Sequence, residues 1–430
     1  MDHRKIVVLG SSYSAYAVFN YIENFLFKLR EPFDLLLISP KPYFYIPDLF
    51  PQFVCNLASI AEVTHSFRES IALRPGVGYL EADILGINFS SQILSTSKGK
   101  VKYDYLVLAP EADRFEENKL QASSPVHYIF SPMDLIILKN KVLKNLEEAV
   151  TESDSEKKNQ LLTYTVIGGG KEGIGLAFSL YDFIKHKFNK QYFELNKLLI
   201  KVNLIEKENL VDKNKTPFYN SRLLYNLNKK GINLYTNSTI TKISQDKLIV
   251  NGNFEIIPGT LINSELHKQS SLIQLLPGVQ NSDYGNVGLY LKLEEVENTY
   301  LIGQFSNCLD FGDLLPSSVL FYKKQAQLCA SNIFARINNL PEKPFKAEPI
   351  TDIVSLGYCN SLVQVKDICF DGIAGWLTQR FLYMKTLIRF KKIFASCVRF
   401  IFDFFGMYAF NIPENMELEN KRQTSARQNY

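Results

Sequence analysis

The sequence lacks several features that would place a protein in a class at once. None of its six cysteines forms a C-x-x-C pair, which argues against a thioredoxin-like dithiol or a zinc knuckle and favours buried, reduced thiols. No apolar run of about 18 residues occurs, so no transmembrane helix is predicted. The N-terminus, MDHRKIVVLG, has no basic segment followed by an apolar h-region with a cleavage site, so no signal peptide is predicted. No metal site is indicated.

The composition is that of a globular protein. The 430 residues are 46% hydrophobic and 21% charged, which suits two or three domains with substantial cores. The formal net charge is only +4, so the composition does not indicate nucleic acid as a partner.

Two segments share a strand, a tight glycine turn and an apolar-periodic helix. The first begins at residues 6–10 (IVVLG) and the second at 164–168 (YTVIG), and each is followed by a further apolar strand. This is a βαβ unit occurring twice, which predicts an α/β fold with two Rossmann-like dinucleotide-binding domains. Further strands are predicted at 102–109 and 299–303, and a helix at 317–333. The charged stretch 147–160, taken alone, reads as a linker.

The second turn carries the clearest chemical signal. Gly168, Gly170 and Gly173 complete G-x-G-x-x-G between a strand and a helix. In this motif the glycines permit the tight turn, the approach of a pyrophosphate and close helix–strand packing. Glu206 ends the next strand, about 38 residues after Gly168, where an acid can accept hydrogen bonds from both ribose hydroxyls. Nucleotide binding is predicted here, with NADH favoured over its 2′-phosphorylated relative.

The first turn matches the motif less well. Gly10 is present, but Ser12 and Ala15 stand where the second and third glycines belong. Ser12 adds a Cβ where a phosphate would approach, and the next strand ends in Ser39 without a ribose acid. Taken alone, this turn is explained as well by an ordinary βαβ crossover.

The stretch 146–177 (LEEAVTESDSEKKNQLLTYTVIGGGKEGIGLA) resembles the type II NADH dehydrogenases, which have a charged segment followed by LLTFVVVGGGPTGVELA. The similarity extends to residues 41–54, 103–109, 299–333 and 371–399. It implies an FAD domain split around an inserted NAD domain, with a C-terminal membrane-binding region. It also implies transfer of a hydride from NADH to FAD and of two electrons to a quinone. It makes the 147–160 stretch part of the family structure.

The chain departs from the family at several positions that contact the flavin or the quinone. The family's A-T-G is Ala109-Pro110-Glu111 here, and its FAD-holding G-D is Gly303-Gln304. A glutamate near the nicotinamide and flavin is replaced by Gly175. Of the A-Q-x-A-x-Q-Q pattern near the quinone site, Gln325 alone remains. Gly10, Ser12, Ala15, Ala109, Gly303 and Gln304 are the candidate FAD contacts, and weak FAD retention is expected.

The C-terminal segment 376–405 is aromatic and basic. On a helix, its basic side chains fall within an arc of about 80°, opposite an aromatic face, which suits the surface of an anionic membrane. A helix packed on the protein with solvated lysines is the alternative reading. The candidate membrane contacts are Lys385, Arg389, Phe390, Lys392, Phe394 and Arg399.

The predicted function is a membrane-associated NADH dehydrogenase that passes electrons through FAD to a quinone, peripheral on the inner face of the cell membrane. The predicted domains are an FAD domain at 1–115 and 296–340, an NAD domain at 116–295, a membrane-associating region at 341–415 and a polar tail at 416–430. A catalytically silent relative that keeps nucleotide binding and membrane contact is the main alternative. A sulfide:quinone or disulfide reductase would need a cysteine pair. No catalytic residue is assigned, and a homodimer is left open.

Overall fold

The computed structural model describes residues 3–26, 29, 32–71, 75–112, 126–192, 200–210, 215–243, 247–252, 254–257, 259–264, 270–277, 284–294, 296–308, 318–346 and 352–386. The chain divides into two compact units, Met1–Ile388 and Arg389–Tyr430, and the second lies wholly outside the described residues.

The described strands, numbered in chain order, are β1 (Arg4–Leu9), β2 (Phe33–Ser39), β3 (Tyr43–Tyr45), β4 (Thr64–Ser66), β5 (Val77–Glu81), β6 (Ile84–Asn88), β7 (Ile93–Thr96), β8 (Gly99–Lys102), β9 (Tyr105–Leu108), β10 (Val126–Tyr128), β11 (Thr163–Ile167), β12 (Lys201–Ile205), β13 (Ile232–Tyr235), β14 (Ile240–Ile243), β15 (Leu248–Val250), β16 (Phe254–Ile256), β17 (Thr260–Asn263), β18 (Gly285–Val287), β19 (Thr299–Leu301), β20 (Ser306–Cys308), β21 (Asp352–Ser355), β22 (Ser361–Val365) and β23 (Ile368–Phe370).

The described helices are α1 (Tyr13–Leu26), α2 (Phe50–Val54), α3 (Ile60–Val63), α4 (Phe67–Ser70), α5 (Pro132–Thr151), α6 (Ser155–Leu161), α7 (Lys171–Gln191), α8 (Pro217–Lys230), α9 (Ser271–Gln274), α10 (Val319–Ile337) and α11 (Ile373–Thr386). A short 3-10 helix, Pro47–Leu49, precedes α2.

The first parallel sheet has the strand order β19-β9-β1-β2-β5. Its central strands are apolar and almost fully buried, as expected for a sheet covered on both faces. Helix α1 connects β1 to β2 and lies against α10. The predicted first βαβ unit is therefore confirmed, and the late strand β19 returns to the same sheet.

The second parallel sheet has the order β10-β17-β11-β12-β13, with α7 between β11 and β12. Its strands come from residues 126–263, between the two parts of the chain that build the first sheet. The predicted fold class, two Rossmann-like units with the second inserted into the first, is confirmed. The exact domain bounds stay predictions, and β18 pairs with β20 rather than with the second sheet.

The interpretation of 147–160 as a linker is wrong. Helix α5 continues to Thr151, and α6 follows after a break of three residues. The side chain of Asp154 begins α6 by accepting a hydrogen bond from the backbone N–H of Glu156 at 2.9 Å. No residue of α6 is buried, so the helix has no apolar face and leaves no helical period in the sequence.

After α10 the chain forms a three-stranded antiparallel sheet, β21-β22-β23, and then α11. One face of α11 is buried and includes Trp376, the single tryptophan of the chain. Among the described residues no helix is long and apolar enough to cross a membrane.

Candidate functional site

The second glycine turn has the shape that the motif requires. Gly168 has φ +102°, a conformation that favours glycine. A Cβ on Gly173 would lie 1.8 Å from the carbonyl oxygen of Gly168, so only glycine lets α7 approach the strand this closely. A Cβ on Gly170 would meet nothing nearer than Glu172 Oε2 at 3.6 Å, so this glycine faces open space. The turn therefore leaves room for a ligand at the start of α7.

Glu206 follows β12 and points back at this turn. Its Oε2 accepts a hydrogen bond from the backbone N–H of Gly169, and its Oε1 accepts one from Glu208 N at 3.0 Å. The carboxylate is only half-buried, so oxygen lone pairs stay available to a sugar hydroxyl. The structure thus brings Gly168, Gly170, Gly173 and Glu206 together, as the sequence predicts.

The first turn keeps the same backbone but closes its centre. Gly10 has φ +135°, and a Cβ there would lie 1.9 Å from the carbonyl oxygen of Ala109. Ser12 Oγ donates a hydrogen bond to that same carbonyl at 2.8 Å and accepts one from Ala15 N at 3.3 Å. Ser12 is therefore the N-cap of α1, and it uses an N–H that could otherwise bind an anion.

Beside this turn, at the end of β2, Rossmann units usually have an acidic residue that binds the ribose. Here the position is Ser39, whose side chain bonds to the backbone of the same bend. Ser39 is fully buried, and its Oγ donates to Lys41 O at 2.7 Å. Lys41 Nζ pairs with Glu111 Oε2 at 3.1 Å. Glu111 thus places a carboxylate close to the first turn, in a partly exposed ion pair with Lys41.

Gly303 and Gln304 follow β19. The backbone N–H of Gly303 donates to Gln325 Oε1 at 2.9 Å, and Gln325 Nε2 donates to Ser306 Oγ at 3.0 Å. Gln325 is fully buried, and its amide groups serve the protein itself, so it lines neither of the two cavities described next. Its assignment to a quinone site stays a prediction.

The larger of two cavities, about 260 Å³, lies between the two Rossmann units. Tyr43, Tyr45 and Gln304 line it from the first unit. Ser264 and Glu172 line it from the second. A ligand from each unit can therefore meet here. The residues fit a flavin ring, since aromatic side chains and an amide border the space, whereas the phosphate end of the first turn is less open than that of the second.

The smaller cavity, about 70 Å³, lies beside the first. It is bordered by the start of α10, by α11 and by the 3-10 helix. Pro47, Pro51 and Glu172 line both cavities. Glu172 therefore stands where the two spaces meet.

An unusual group of charges lies in and around the smaller cavity. Asp48 opens onto it and accepts a hydrogen bond from Val319 N at 3.3 Å. Burial of the site, and secondly the charge of Glu172, raise the pKa of Asp48 to about 6. Lys171 forms an ion pair with Asp352, which also pairs with Lys215 at 2.6 Å. Burial opposes ionisation of Asp352, but the two lysines hold its pKa below the usual value.

The proposed membrane contacts lie at the edge of what the structure describes. Lys385 is in α11, but its side chain is outside the described set, and Arg389, Phe390, Lys392, Phe394 and Arg399 lie outside the described residues. The first part of the segment is a helix, as predicted.

Comparisons with known proteins agree with this architecture. No protein-family model matches the chain. The external alternative NAD(P)H-ubiquinone oxidoreductase B4 of Arabidopsis thaliana is 24% identical over 57% of this chain and 43% of its own length, so the match spans less than half of that relative. The internal alternative NAD(P)H-ubiquinone oxidoreductase A1 of the same plant is 24% identical over 93% of this chain and 84% of its own.

A solved structure of NDH2 from Plasmodium falciparum superposes with a TM-score of 0.80. It is 18% identical and covers 93% of this chain and 98% of its own. The chain is therefore similar in sequence to alternative NAD(P)H-ubiquinone oxidoreductases and similar in fold to NDH2. The resemblance inferred from residues 146–177 is confirmed.

Sequence reasoning missed the residues of the smaller cavity. Asp48 lies in an apolar run, and Glu172 stands where the quoted family pattern has threonine. The substitution at Glu172 can be recognised from the sequence. The proximity of Asp48 and Glu172 to α11 cannot, because it depends on contacts between elements far apart in the chain.

Proposed function

We propose that this protein is a membrane-associated NADH:quinone oxidoreductase that uses FAD. The observation that carries the proposal is the larger cavity, which is lined from both Rossmann units at once. Hydride transfer between two dinucleotides needs their reactive rings in contact, and this is the place where ligands of the two turns would meet. The names of the relatives, NAD(P)H-ubiquinone oxidoreductases, support the same reaction.

NADH is assigned to the second turn. The open backbone at Gly170 and the start of α7 would hold the pyrophosphate, because unpaired N–H groups and the helix dipole favour an anion. Glu206 would accept hydrogen bonds from the ribose hydroxyls and repel a 2′-phosphate. Its existing bond to the turn fixes the orientation of the carboxylate before the ligand arrives.

FAD is assigned to the first turn, with the flavin ring in the larger cavity. When bound, FAD would supply the redox chemistry of the reaction. Gly10, Ser12, Ala15 and Ala109 would border the phosphates, and Gln304 would donate or accept a hydrogen bond without a charge. We propose weak, non-covalent retention, because Ser12 closes the turn and Glu111 adds a carboxylate beside it.

Membrane contact is proposed through α11 and the segment that follows it. Ile373, Leu377 and Phe381 are 61%, 39% and 53% exposed and recur every four residues, so they form one apolar stripe along the helix. Trp376 and Arg380 face the protein instead. The stripe supports docking on the inner face of the cell membrane, where a quinone would be reached.

The alternatives receive less support. A sulfide or disulfide reductase needs a pair of reactive cysteines. None of the five described cysteines forms a disulfide with another, and burial raises the pKa of the Cys55 thiol to about 12 and that of Cys329 even further, which makes both thiols unreactive. A catalytically silent relative would keep the turns but lack electron transfer, and it is separated from the enzyme by experiment.

The test is to purify the protein, measure its flavin content before and after dialysis, and add NADH under anaerobic conditions. We expect a yellow protein whose flavin absorbance bleaches with NADH and returns when a short-chain ubiquinone is added. Protein saturated with FAD that fails to bleach would identify a silent relative. Stoichiometric flavin after long dialysis would contradict the weak-retention proposal alone.

The membrane proposal has its own test. We expect the pair of changes Leu377→Gln and Phe381→Gln to reduce sedimentation with anionic liposomes several-fold. The matched control changes two exposed apolar residues elsewhere, Leu85 and Ile137, to glutamine. Equal loss in both variants would contradict a specific docking surface. Truncation before α11 is unsuitable because it removes the buried Trp376.

A further inference from the structure

Compared with the family pattern, helix α7 has Gly175 in place of a glutamate and Glu172 in place of a threonine, on the same face of the helix. A Cβ on Gly175 would lie 2.7 Å from Pro51 Cγ, so no larger side chain fits there while α2 is in place. Glu172 lies three residues earlier, on the same side of the helix. It is the one acid of α7 that lines both cavities. The chain therefore keeps a carboxylate at this junction, displaced by one turn.

The charges around the smaller cavity do not balance. Three carboxylates, Asp48, Glu172 and Asp352, stand against two lysines, Lys171 and Lys215. Both lysines are paired with Asp352, whose ionised form they stabilise. The remaining two acids line the same cavity, and burial, followed by the charge of Glu172, raises the pKa of Asp48.

A buried amide points to the ligand of this cavity. Gln379 of α11 lines it and is only 7% exposed. Its Oε1 accepts a hydrogen bond from Ser361 Oγ at 2.5 Å, which fixes the amide. Within the described part of the chain its Nε2 has no hydrogen-bond partner. This amide lines the cavity, and a carbonyl oxygen there would accept a hydrogen bond from Nε2.

We propose that the smaller cavity is where the electron acceptor is protonated, with Asp48 as the proton donor, Glu172 as the group that resupplies it, and Gln379 as the hydrogen-bond donor that holds an acceptor carbonyl. The proposal rests on the proposed function and extends it to named residues. Asp48 is the catalytic residue, since it faces the acceptor. Glu172 acts through Asp48.

The reaction balances with the reactants already named. A quinone takes two electrons and two protons to become a quinol, and NADH supplies both electrons and one proton as a hydride. The second proton leaves the carboxyl group of Asp48, so one O–H bond breaks there and another forms on the acceptor oxygen. Glu172 stands between this site and the larger cavity, and solvent restores the proton through it.

The surroundings of Asp48 make it suited to this role at neutral pH. Glu172 and Lys171 face it from α7, Tyr13 from α1 and Tyr383 from α11, while Val319 N donates to it from α10. Burial and the charge of Glu172 raise the pKa to about 6, so a fraction of the molecules holds the proton near neutral pH. A donor must be protonated, so the rate should fall as pH rises above this value.

The test separates acceptors that need protons from one that does not. Asp48→Asn and Glu172→Gln are compared with the unchanged protein using a short-chain ubiquinone and using ferricyanide, which takes electrons alone. We expect Asp48→Asn to reduce the ubiquinone rate at least about 10-fold and to flatten its pH profile, since one general acid contributes a factor of about 100 or more. Ferricyanide reduction should persist. Glu255→Gln, an exposed acid of β16, is the matched control and should behave as the unchanged protein.

Each outcome decides something. Equal loss with both acceptors, or an unaltered pH profile, would overturn the proposal while leaving the proposed function intact. No NADH-dependent reduction of either acceptor by the unchanged protein would instead overturn the proposed function. If Asp48→Asn fails to fold, Asp48→Glu provides a second variant, which keeps the acid and should keep a shifted pH profile.

Binding is measured without any turnover. Trp376 lies one turn from Gln379 on α11 and is the single tryptophan, so its fluorescence reports on the cavity. We expect a short-chain ubiquinone to quench it, and Gln379→Leu to raise the apparent Kd about 10-fold by removing a buried hydrogen bond. The outcome that would contradict this is identical titration of Gln379→Leu and the unchanged protein.

Discussion

The two glycine turns occupy equivalent positions in equivalent βαβ units, yet one is open and the other is closed. Gly170 of the second turn faces free space. The hydroxyl of its counterpart Ser12 donates a hydrogen bond to Ala109 O and accepts one from Ala15 N. The backbone positions that sterics demand, Gly10 and Gly168, are glycine in both. The comparison indicates that backbone packing requires glycine at the first position of the motif, Gly10 and Gly168. Glycine at the second position, Gly170 or Ser12, is required by a ligand and not by packing.

The largest effect is expected from closing the second turn. A Cβ at Gly173 would fall 1.8 Å from Gly168 O and 2.5 Å from Ser264 Oγ, so the backbone must move. Gly173→Ala should lower the free energy of unfolding by about 3 kcal/mol and abolish NADH binding, because overpacking of a rigid contact is not relieved by side-chain rotation. Urea unfolding and NADH titration measure the two effects.

Gly170→Ala is the matched control within the same turn. Its Cβ meets nothing closer than 3.6 Å, so stability should change by less than about 1 kcal/mol while nucleotide binding still weakens. If both variants lose stability equally, the distinction between a glycine kept for packing and one kept for a ligand is wrong.

The second effect concerns the acid that only one of the turns possesses. Glu206→Gln keeps the shape of the side chain and removes its charge. We expect NADH affinity to fall about 10-fold, since a charge-assisted hydrogen bond is worth about 1.5 kcal/mol or more, and the preference over NADPH to narrow. Titration with both nucleotides is the measurement. An unchanged ratio of affinities would show that the ribose lies elsewhere.

The local parts of this comparison could be read from the sequence, and the rest could not. Strand, turn and helix follow one another within about 20 residues, so both βαβ units are predicted correctly, while the role of Glu206 in binding a ribose stays a prediction. The inward bond of Ser12 joins residues 97 apart, and the sequence gives no sign of it. Likewise the exposed helix α6 has no apolar period, which is why its residues read as a linker.

The same limit applies to the site. The family pattern predicts Gln325 as a quinone contact, and the structure shows it buried with hydrogen bonds to Gly303 N and Ser306 Oγ, which the pattern does not indicate. No sequence pattern indicates a role for Asp48, because it is a single polar residue in an apolar run. The pKa of Asp48 is raised by burial and, secondly, by the charge of Glu172, more than 100 residues away in sequence, and only the tertiary structure shows both.

Opening the first turn should have a smaller and opposite pair of effects. Ser12→Gly removes the N-cap of α1 and frees Ala15 N. Loss of the capping hydroxyl should cost a few tenths to about 1 kcal/mol of stability, since glycine itself is a tolerable N-cap. FAD should nevertheless bind several-fold more tightly, because a phosphate gains an N–H and loses a nearby Cβ. Flavin retained after dialysis, set beside urea unfolding, measures this trade. Ser12→Ala, which removes the hydroxyl but keeps the Cβ, is the control and should lose stability without gaining flavin.

The smallest effect is expected at Gln304, which lines the larger cavity but stands outside both turns. Gln304→Asp restores the charge that the family places after this glycine, and a carboxylate accepts hydrogen bonds from a sugar-alcohol chain more strongly than an amide does. We expect a gain of two- to three-fold in FAD retention, limited because Glu111 keeps a second negative charge on the same cavity. Gln304→Asn shortens the side chain equally without the charge, so it separates length from electrostatics. A gain in FAD retention in both variants would show that side-chain length, and not charge, limits FAD binding at this position. If the gain in FAD retention of Gln304→Asp grows when Glu111→Gln is added, the two carboxylates repel each other across the cavity. Negative charge, as well as the hydrogen bonds of Ser12, would then distinguish the first turn from the second.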